Sequence, residues 1–460
     1  MSHNAAQVIE ALKPLLGERL VTATAVREHH SRDMSSHAAS MPDAVVFPRT
    51  EQEVQEIVRA CGKYGVPIVP YGAGSSMEGH TIPIHGGICL STRDMNGIIE
   101  IVAEDALAVV QPGVTRKQLN TELRALGLTF PVDPGADATL GGMASTRASG
   151  TAAVRYGTMR ENVLALRAVT ADGEVVKTGS RAKKSSTGYD LTHLFVGSEG
   201  TLGVITELTV RLHPVPEQVA SAICAFETVE GAIATVQETV QYGIPVGRVE
   251  FLDTYSIEST NLYSGMDLKV APTLFFEFEG TPAWVEEQST IVAEIAAANG
   301  GSNFQWSTDA EERARLWQAR HNHYWAIKAR RTGCEIYTSD ICVPISKLAE
   351  NIVAGLADIE ASPLEGQIIA HAGDGNFHAG YLVDPNDEAE LAEAARLADR
   401  SAERALASGG TVSGEHGIGI GKLKFLRREH GDAAVEAMKR IKLALDPAGI
   451  MNPGKLGQEG

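Results

Sequence analysis

The chain has 460 residues, with 46 glycines, 43% hydrophobic residues and a formal net charge of -18. This length exceeds what one core organises, so at least two domains are expected. The acidic balance disfavours nucleic acid and anionic membrane as general partners, and an anionic substrate would need a local cationic or metal site.

Cys61, Cys89, Cys224, Cys334 and Cys342 form no CxxC. That usage suits a reducing compartment and argues against a disulfide framework or an iron–sulfur cluster. Residues 1–42 read as an N-terminal helical segment, with Val8, Ile9, Leu12, Leu15 and Leu16 on one side of an amphipathic helix and no secretory signal pattern. No apolar run is long enough to span a membrane.

Residues 43–217 read as a first domain. AVVF at 44–47 is a strand, and EQEVQEIVRACGKYG is a helix with Val54, Ile57, Val58 and Cys61 at helical spacing. PIVP at 67–70, IIEIV and LAVVQPG continue as strands, and TRKQLNTELRALG as a helix. The irregular alternation predicts α+β rather than a Rossmann unit. HPVPE at 213–217 marks a boundary. Residues 218–425 read as a smaller antiparallel sheet covered by helices, with VASAICAF, VGRVEFLD and TLFFEFE as strands. Residues 426–460 contain a helix through Val435, Met438, Ile441 and Leu445, stopped at Asp446-Pro447, and a tail reading AGIMNPGK.

Three glycine-rich segments stand out in the first domain. In PYGAGSSMEGH, Pro70 to His80, Gly72 and Gly74 permit a sharp turn and close backbone approach to a ligand. Successive N–H groups in such a loop can nest phosphate oxygens, and Ser75 and Ser76 add hydroxyl donors. The loop is neither a GxGxxG fingerprint nor a P-loop, and a structural turn is the alternative. Pro131 to Thr158 places Gly141, Gly142, Gly150 and Gly157 among small residues that could wrap a flat ligand. Gly197 to Thr206 is a turn entering a strand. Tight packing against a sheet is the alternative for these two.

Together the segments resemble the FAD-binding domain of the vanillyl-alcohol oxidase and p-cresol methylhydroxylase (PCMH-type) flavoproteins. The resemblance implies that Tyr71, Gly72, Ala73, Gly74, Ser75 and Ser76 hold the pyrophosphate of FAD. It implies that Pro134, Gly142, Ser145, Gly150, Tyr156, Gly157, Glu199 and Ile205 hold the rest. It also implies non-covalent FAD, because His80 lies later than the linkage position of covalent members.

HAGDGNFH, His371 to His378, reads as a hairpin turning at Asp374-Gly375. Counted outward from a two-residue turn, His371 opposes His378, and two imidazoles on one face can share a cation. In SGEHGIGIGK, Glu415 and His416 are adjacent among glycines. A His–His–carboxylate set leaves open coordination positions, as a catalytic metal site does. Exposed hairpin histidines and a solvated Glu–His pair are the alternatives.

Both motifs resemble the D-2-hydroxy-acid dehydrogenase branch of the same flavoproteins. The resemblance implies that His371, His378 and Glu415 bind a divalent metal, Zn²⁺ or Mn²⁺, that His416 is the base and that Asn452 lies near the flavin. Arg320, in LWQARHNHYWAIKAR, resembles the arginine that grips the substrate carboxylate, a task suited to its planar fork. His323 and Asn376 are further substrate-binding candidates. The implied reaction oxidises a D-2-hydroxy acid by metal-assisted proton removal and hydride transfer to flavin N5. ARHNHYWA and TSDICVP resemble the D-lactate group, and Thr338 falls where the hydroxyglutarate group carries a lysine; this disfavours a dicarboxylic substrate, with Lys328, Arg330 or Arg331 as alternative cations for the site.

The implied fold is a two-domain α+β PCMH-type arrangement with an antiparallel-sheet cap. The expected acceptor is cytochrome c, a quinone or an electron-transfer flavoprotein. A homodimer is one option for assembly, and the expected location is cytoplasmic or peripheral to the respiratory membrane. The alternatives are the flavin subunit of a glycolate oxidase complex, a D-2-hydroxyglutarate dehydrogenase, and a non-catalytic flavin- or metal-binding module.

Overall fold

The computed structural model describes residues 3–457. The chain divides into two units, one formed by the residues up to 149, 157–215 and those from 415 on, the other by 150–156 and 216–414. The crossing at 215/216 falls within the Pro-rich punctuation at 213–217. The return falls at 415, so Glu415 and His416 group with the first unit, whereas the sequence segmentation kept residues up to 425 in the second domain.

The first unit has two main sheets. In one, Leu20–Val21, Ala44–Val46, Ile88–Ser91 and Ile68–Tyr71 lie in that order, and the last two pairings are parallel. In the other, five antiparallel strands run Ile98–Val102, Leu107–Val110, Val204–Arg211, Val163–Val169, Val175–Lys177.

The helix Glu51–Tyr64 forms where its sequence demands. Thr50 caps it by accepting the Glu53 N–H, Glu51 and Glu53 complement the helix dipole, and Gly65 ends it in the left-handed conformation. Val54, Ile57, Val58 and Cys61 face inward. They share one core with Ala5, Val8, Ile9, Leu12 and Leu16 of the helix His3–Leu16. The N-terminal segment is thus part of this unit's core. Leu15, expected on the apolar side, is exposed.

The helix Leu426–Leu445 leads into a tail laid beside the strand Ile68–Tyr71, where Met451 bridges to Ile68 and the Asn452 N–H donates to Ile68 O at 2.8 Å. Lys442 locks this return. Its buried ammonium donates to Thr201 O and Met451 O, each at 2.7 Å, and to Asp446.

The second unit is built on one antiparallel eight-stranded sheet. Its main path runs Gly301–Ser307, Gln218–Phe226, Thr273–Gly280, Arg248–Leu252, Gly366–His371, Asn376–Val383, Glu335–Thr338, and Ile341–Cys342 pairs separately with Asn376–Val383. The run TLFFEFE is buried at every residue. Phe276 and Phe278 stack with centroids 5.9 Å apart, while Phe275 packs with Leu252, Ile257 and Trp317. Burial at successive positions shows that both faces of this strand are covered.

The hairpin of this sheet departs from the sequence expectation. His371 pairs with Asn376, and His378 pairs with Ile369, so the loop has four residues, 372–375. A two-residue Asp-Gly turn of the preferred type needs positive φ at both residues. Here Gly375 has φ +83° and Asp374 is not among the positive-φ residues, and the Asp374 N–H instead donates back to His371 O. The register shift is two, so His371, Asn376 and His378 still share one face.

Gly375 has little alternative. A Cβ there would lie 2.0 Å from Val343 O, and the left-handed backbone disfavours any other residue. The substitution Gly375→Ala should therefore lower unfolding stability by at least about 1–3 kcal/mol in urea titration. An unchanged midpoint would show that this turn does not hold the hairpin register.

Candidate active site

In the first unit, the loop from Tyr71 to Ser76 follows directly from a buried strand. Gly74 has φ +70°, and a Cβ on it would meet the Tyr71 hydroxyl oxygen at 2.0 Å. A Cβ on Gly72 would lie 2.4 Å from Thr139 Oγ1. Thr139 caps the helix Leu140–Thr146 by accepting the Gly142 N–H. Backbone without side chains is thus brought against the start of this helix, whose first N–H groups are already engaged: the Leu140 N–H donates to Val114 O and the Gly141 N–H to Pro112 O, both at 2.8 Å. Ser76 is already engaged: its hydroxyl donates to Asp33 Oδ2 at 3.1 Å and its carbonyl accepts the Met34 N–H at 3.0 Å.

The other two glycine-rich segments are stitched together. Glu199 N–H donates to Ser145 O and Gly197 N–H to Ala144 O, both at 2.8 Å, and Ser145 Oγ donates to Gly141 O. Ile205 is buried in the strand Val204–Arg211, Pro134 is half-buried in the loop before Thr139, and Gly157 turns at the start of the second stretch of this unit. Gly150 and Tyr156 belong to the second unit. There the Tyr156 hydroxyl donates to Glu279 Oε2 at 2.5 Å, and burial together with that carboxylate pushes its pKa up to about 12.

Glu199 organises this part of the molecule. It is buried with φ +56°, and its carboxylate accepts the Ile418 N–H at 2.7 Å and the Gly419 N–H at 3.0 Å. His80 Nε2 lies 3.3 Å from Glu199 Oε1. Burial opposes both charges. The attraction between the two groups more than offsets it, so the His80 pKa is raised and the Glu199 pKa is lowered.

Asn452 ties the same residues from the tail. Its Nδ2 donates to His80 O at 3.0 Å and to Glu199 O at 2.7 Å, and its Oδ1 accepts from the fully buried Lys455 ammonium at 2.7 Å. Lys455 also donates to Ile82 O, and burial lowers its pKa to about 8. His80 and Lys455 were not assigned roles from sequence. The signal was present for Lys455, in the NPGK tail. In the same unit, His416 Nε2 stands 3.8 Å from Glu415 Oε1, both side chains partly exposed, in the loop that Glu199 caps.

In the second unit, the rings of His371 and His378 lie nearly perpendicular with centroids 5.5 Å apart. His371 Nδ1 meets Glu250 Oε1 at 2.7 Å, and His378 Nδ1 meets Ser339 O at 3.2 Å. Metal-binding histidines characteristically give one nitrogen to such a partner and the other to the ion, so Nε2 is the atom each ring would offer. The donor set therefore fits a divalent cation.

Glu250, which sequence reading missed, is fully buried and also accepts from Arg320, through Nε at 3.1 Å and Nη2 at 2.6 Å on Oε2. Burial pushes its pKa up, but His371 and Arg320 bring it below the ordinary carboxylate value. Asp340, also missed, is buried beside His378, with Oδ1 3.8 Å from Nδ1, and its Oδ2 accepts from Ser413 Oγ at 2.8 Å. His323 is buried at the start of the helix His323–Lys328, and burial with the Arg320 charge lowers its pKa to about 3, so its ring is neutral. Asn376 is buried with its amide against Gly414.

Residues 42–179 match an FAD binding domain family, and residues 215–456 match the family described as FAD linked oxidases, C-terminal domain. A probable mitochondrial D-lactate dehydrogenase of Danio rerio is 48% identical over 98% of this chain and 91% of its own length. A mitochondrial D-lactate dehydrogenase (cytochrome) of Arabidopsis thaliana is 47% identical over 98% of this chain and 80% of its own. The crystal structure of p-cresol methylhydroxylase with substrate bound superposes with a TM-score of 0.80 at 18% identity, covering 100% of this chain and 98% of that one.

The fold is accordingly the α+β fold of the PCMH-type flavoproteins. The chain belongs to the FAD-linked oxidases, a family of flavin-dependent oxidoreductases. No helix among the described residues is long and apolar enough to cross a membrane.

Glu199→Gln should remove one acceptor from two buried N–H donors. The expected result is a loss of about 1–3 kcal/mol in urea unfolding, with faster amide exchange at Ile418 and Gly419. Unchanged exchange at both amides would mean that the carboxylate does not hold this loop.

Proposed function

We propose that the protein oxidises D-lactate to pyruvate with FAD and a divalent cation, and passes the electrons to a cytochrome. The observation that carries this reading is the buried Arg320–Glu250–His371 set beside His378, in a chain of which two relatives named as D-lactate dehydrogenases cover nearly the full length.

Bound FAD supplies the two-electron acceptor for a C2 hydride, and a bound Zn²⁺ or Mn²⁺ supplies a Lewis acid for the C2 hydroxyl. His371 and His378 would hold the cation through Nε2, with Glu415 as third ligand on the sequence resemblance. The loops at Tyr71–Ser76 and Gly141–Ser145 would receive the flavin nucleotide, since their glycines let a ligand approach the backbone closely. Gly150, Tyr156, Gly157, Glu199, Ile205, Pro134 and Asn452 complete the proposed flavin set.

Arg320 would bind the substrate carboxylate. Glu250 takes its Nε and Nη2 edge, which leaves Nη1 outside that pair and orients the guanidinium plane. His323, neutral and buried, adds bulk and a polar edge without a competing positive charge. Asn376 lies on the same sheet face as His371 and His378 and could hydrogen-bond the hydroxy acid. His416 would take the hydroxyl proton, as an imidazole whose ordinary pKa lies near neutrality.

Thr338, in the strand Glu335–Thr338, supplies no cation for a second carboxylate, which favours a monocarboxylic substrate. Cytochrome c is the acceptor we favour. A cytoplasmic or membrane-peripheral location and a homodimer complete the reading.

Anaerobic mixing of the purified flavoprotein with D-lactate should bleach the flavin, with L-lactate, glycolate and D-2-hydroxyglutarate much slower. Chelator pretreatment should abolish bleaching, and Zn²⁺ or Mn²⁺ should restore it. His416→Ala should slow reduction by roughly 10²- to 10⁴-fold with flavin content unchanged. Bleaching mainly by glycolate or hydroxyglutarate would overturn the substrate. A bound flavin that no hydroxy acid reduces would overturn the reaction.

A further inference from the structure

The Glu250 carboxylate occupies an unusual position. It sits on the strand Arg248–Leu252, inside the sheet, and pairs in register with Phe275 on one side and His371 on the other. Its two oxygens serve different partners. Oε1 takes the Nδ1 side of His371, and Oε2 takes two donors of Arg320. The Glu250 side chain is 0% exposed and that of Arg320 11%.

Burying a carboxylate and a guanidinium this deeply is expensive, and an apolar pair of similar volume would often stabilise the sheet at least as well. Packing alone therefore gives no reason for the arrangement. The chemistry of the three groups does. An ionised carboxylate only accepts hydrogen bonds, so His371 must carry a proton on Nδ1, and the neutral ring then presents the lone pair of Nε2. The same carboxylate takes one edge of the Arg320 fork, so the guanidinium plane is held with Nη1 outside the pair. One residue thus sets the tautomer of one side chain and the plane of another.

We propose that Glu250 is the positioning residue of the site, coupling the cation-binding face of His371 to the carboxylate-binding face of Arg320. The proposal rests on the reading that His371 holds a cation and Arg320 the substrate carboxylate. Glu250 touches neither substrate nor cofactor in this scheme and acts through its two partners.

The isosteric change Glu250→Gln makes the coupling testable. A glutamine has one acceptor oxygen and one donating NH₂, and three donors face it. The positively charged Arg320 claims the oxygen. The NH₂ then meets His371 Nδ1, which must become the acceptor, and the ring proton moves to Nε2, where it blocks ligation. Loss of such a partner typically weakens metal binding by about 10- to 100-fold.

The measurement is metal occupancy of the purified flavoprotein, equilibrated with Zn²⁺ or Mn²⁺ buffered by a competing chelator, for wild type, His371→Asn, Glu250→Gln and Glu250→Asp. Flavin absorbance and the melting temperature are followed in parallel. Glu250→Gln is expected to bind metal about 10- to 100-fold more weakly with flavin stoichiometry unchanged, and to raise the KM for D-lactate more than it lowers kcat at saturating metal. Glu250→Asp keeps the charge but withdraws it by one methylene, and should weaken metal binding to an intermediate degree. This variant serves if the glutamine variant fails to fold.

If His371→Asn loses metal while both Glu250 variants keep wild-type affinity and KM, the positioning role is overturned and the metal site stands. If the wild type itself binds no metal, the underlying reading of the site is overturned, and the proposal with it.

Discussion

The polar cluster of the second unit depends on strand register. Arg248–Leu252, Gly366–His371 and Asn376–Val383 are consecutive antiparallel neighbours, and their pairing places Glu250, His371, Asn376 and His378 on one face. A slip of one residue would turn all of them to the opposite face and bury their apolar neighbours' positions with polar groups. Everything the cluster can do chemically, including sharing one carboxylate between an imidazole and a guanidinium, follows from that alignment. Gly375 matters for the same reason, because it closes the loop that sets the hairpin count.

The first unit solves a different problem. A glycine-rich surface has few side chains to hold itself together. Glu199, His80, Asn452 and Lys455 provide the missing cross-links, from three distant stretches of chain. Two of them, Glu199 and Asn452, stand in the left-handed region that ordinary residues avoid. Strain of this kind persists only where surrounding structure over-determines it, as the hydrogen bonds at both positions do. Lys442 performs the comparable task for the tail, with three acceptors around one buried ammonium.

Much of the scaffold was legible from local patterns. The helix Glu51–Tyr64 could be placed from Val54, Ile57, Val58 and Cys61 together with its Thr50 and Gly65 signals, because capping and amphipathic spacing are local properties. The hairpin histidines were legible as a pair on one face, since alternation survives a register shift of two. The four-residue turn was not, because Asp-Gly fits more than one loop length and the choice here is made by Val343, which crowds Gly375 from another part of the chain. Leu15 failed for a similar reason: it lies at the edge of an apolar stripe, and tertiary packing decides where the edge falls.

By itself the sequence determined which residue types were available and how they recur: two histidines in a hairpin, a Glu–His pair among glycines, three small-residue loops and an arginine on a helix. Motif resemblance could attach an expected flavin and metal chemistry to them. Only the tertiary structure decided that Glu250, an unremarkable glutamate in a strand, binds Arg320 and His371, which lie 70 and 121 residues away. It alone also showed Ser76 turned toward Asp33 and Tyr156 toward Glu279. Hydrogen-bond partners across such separations are selected by sheet order and burial, which no local spacing encodes.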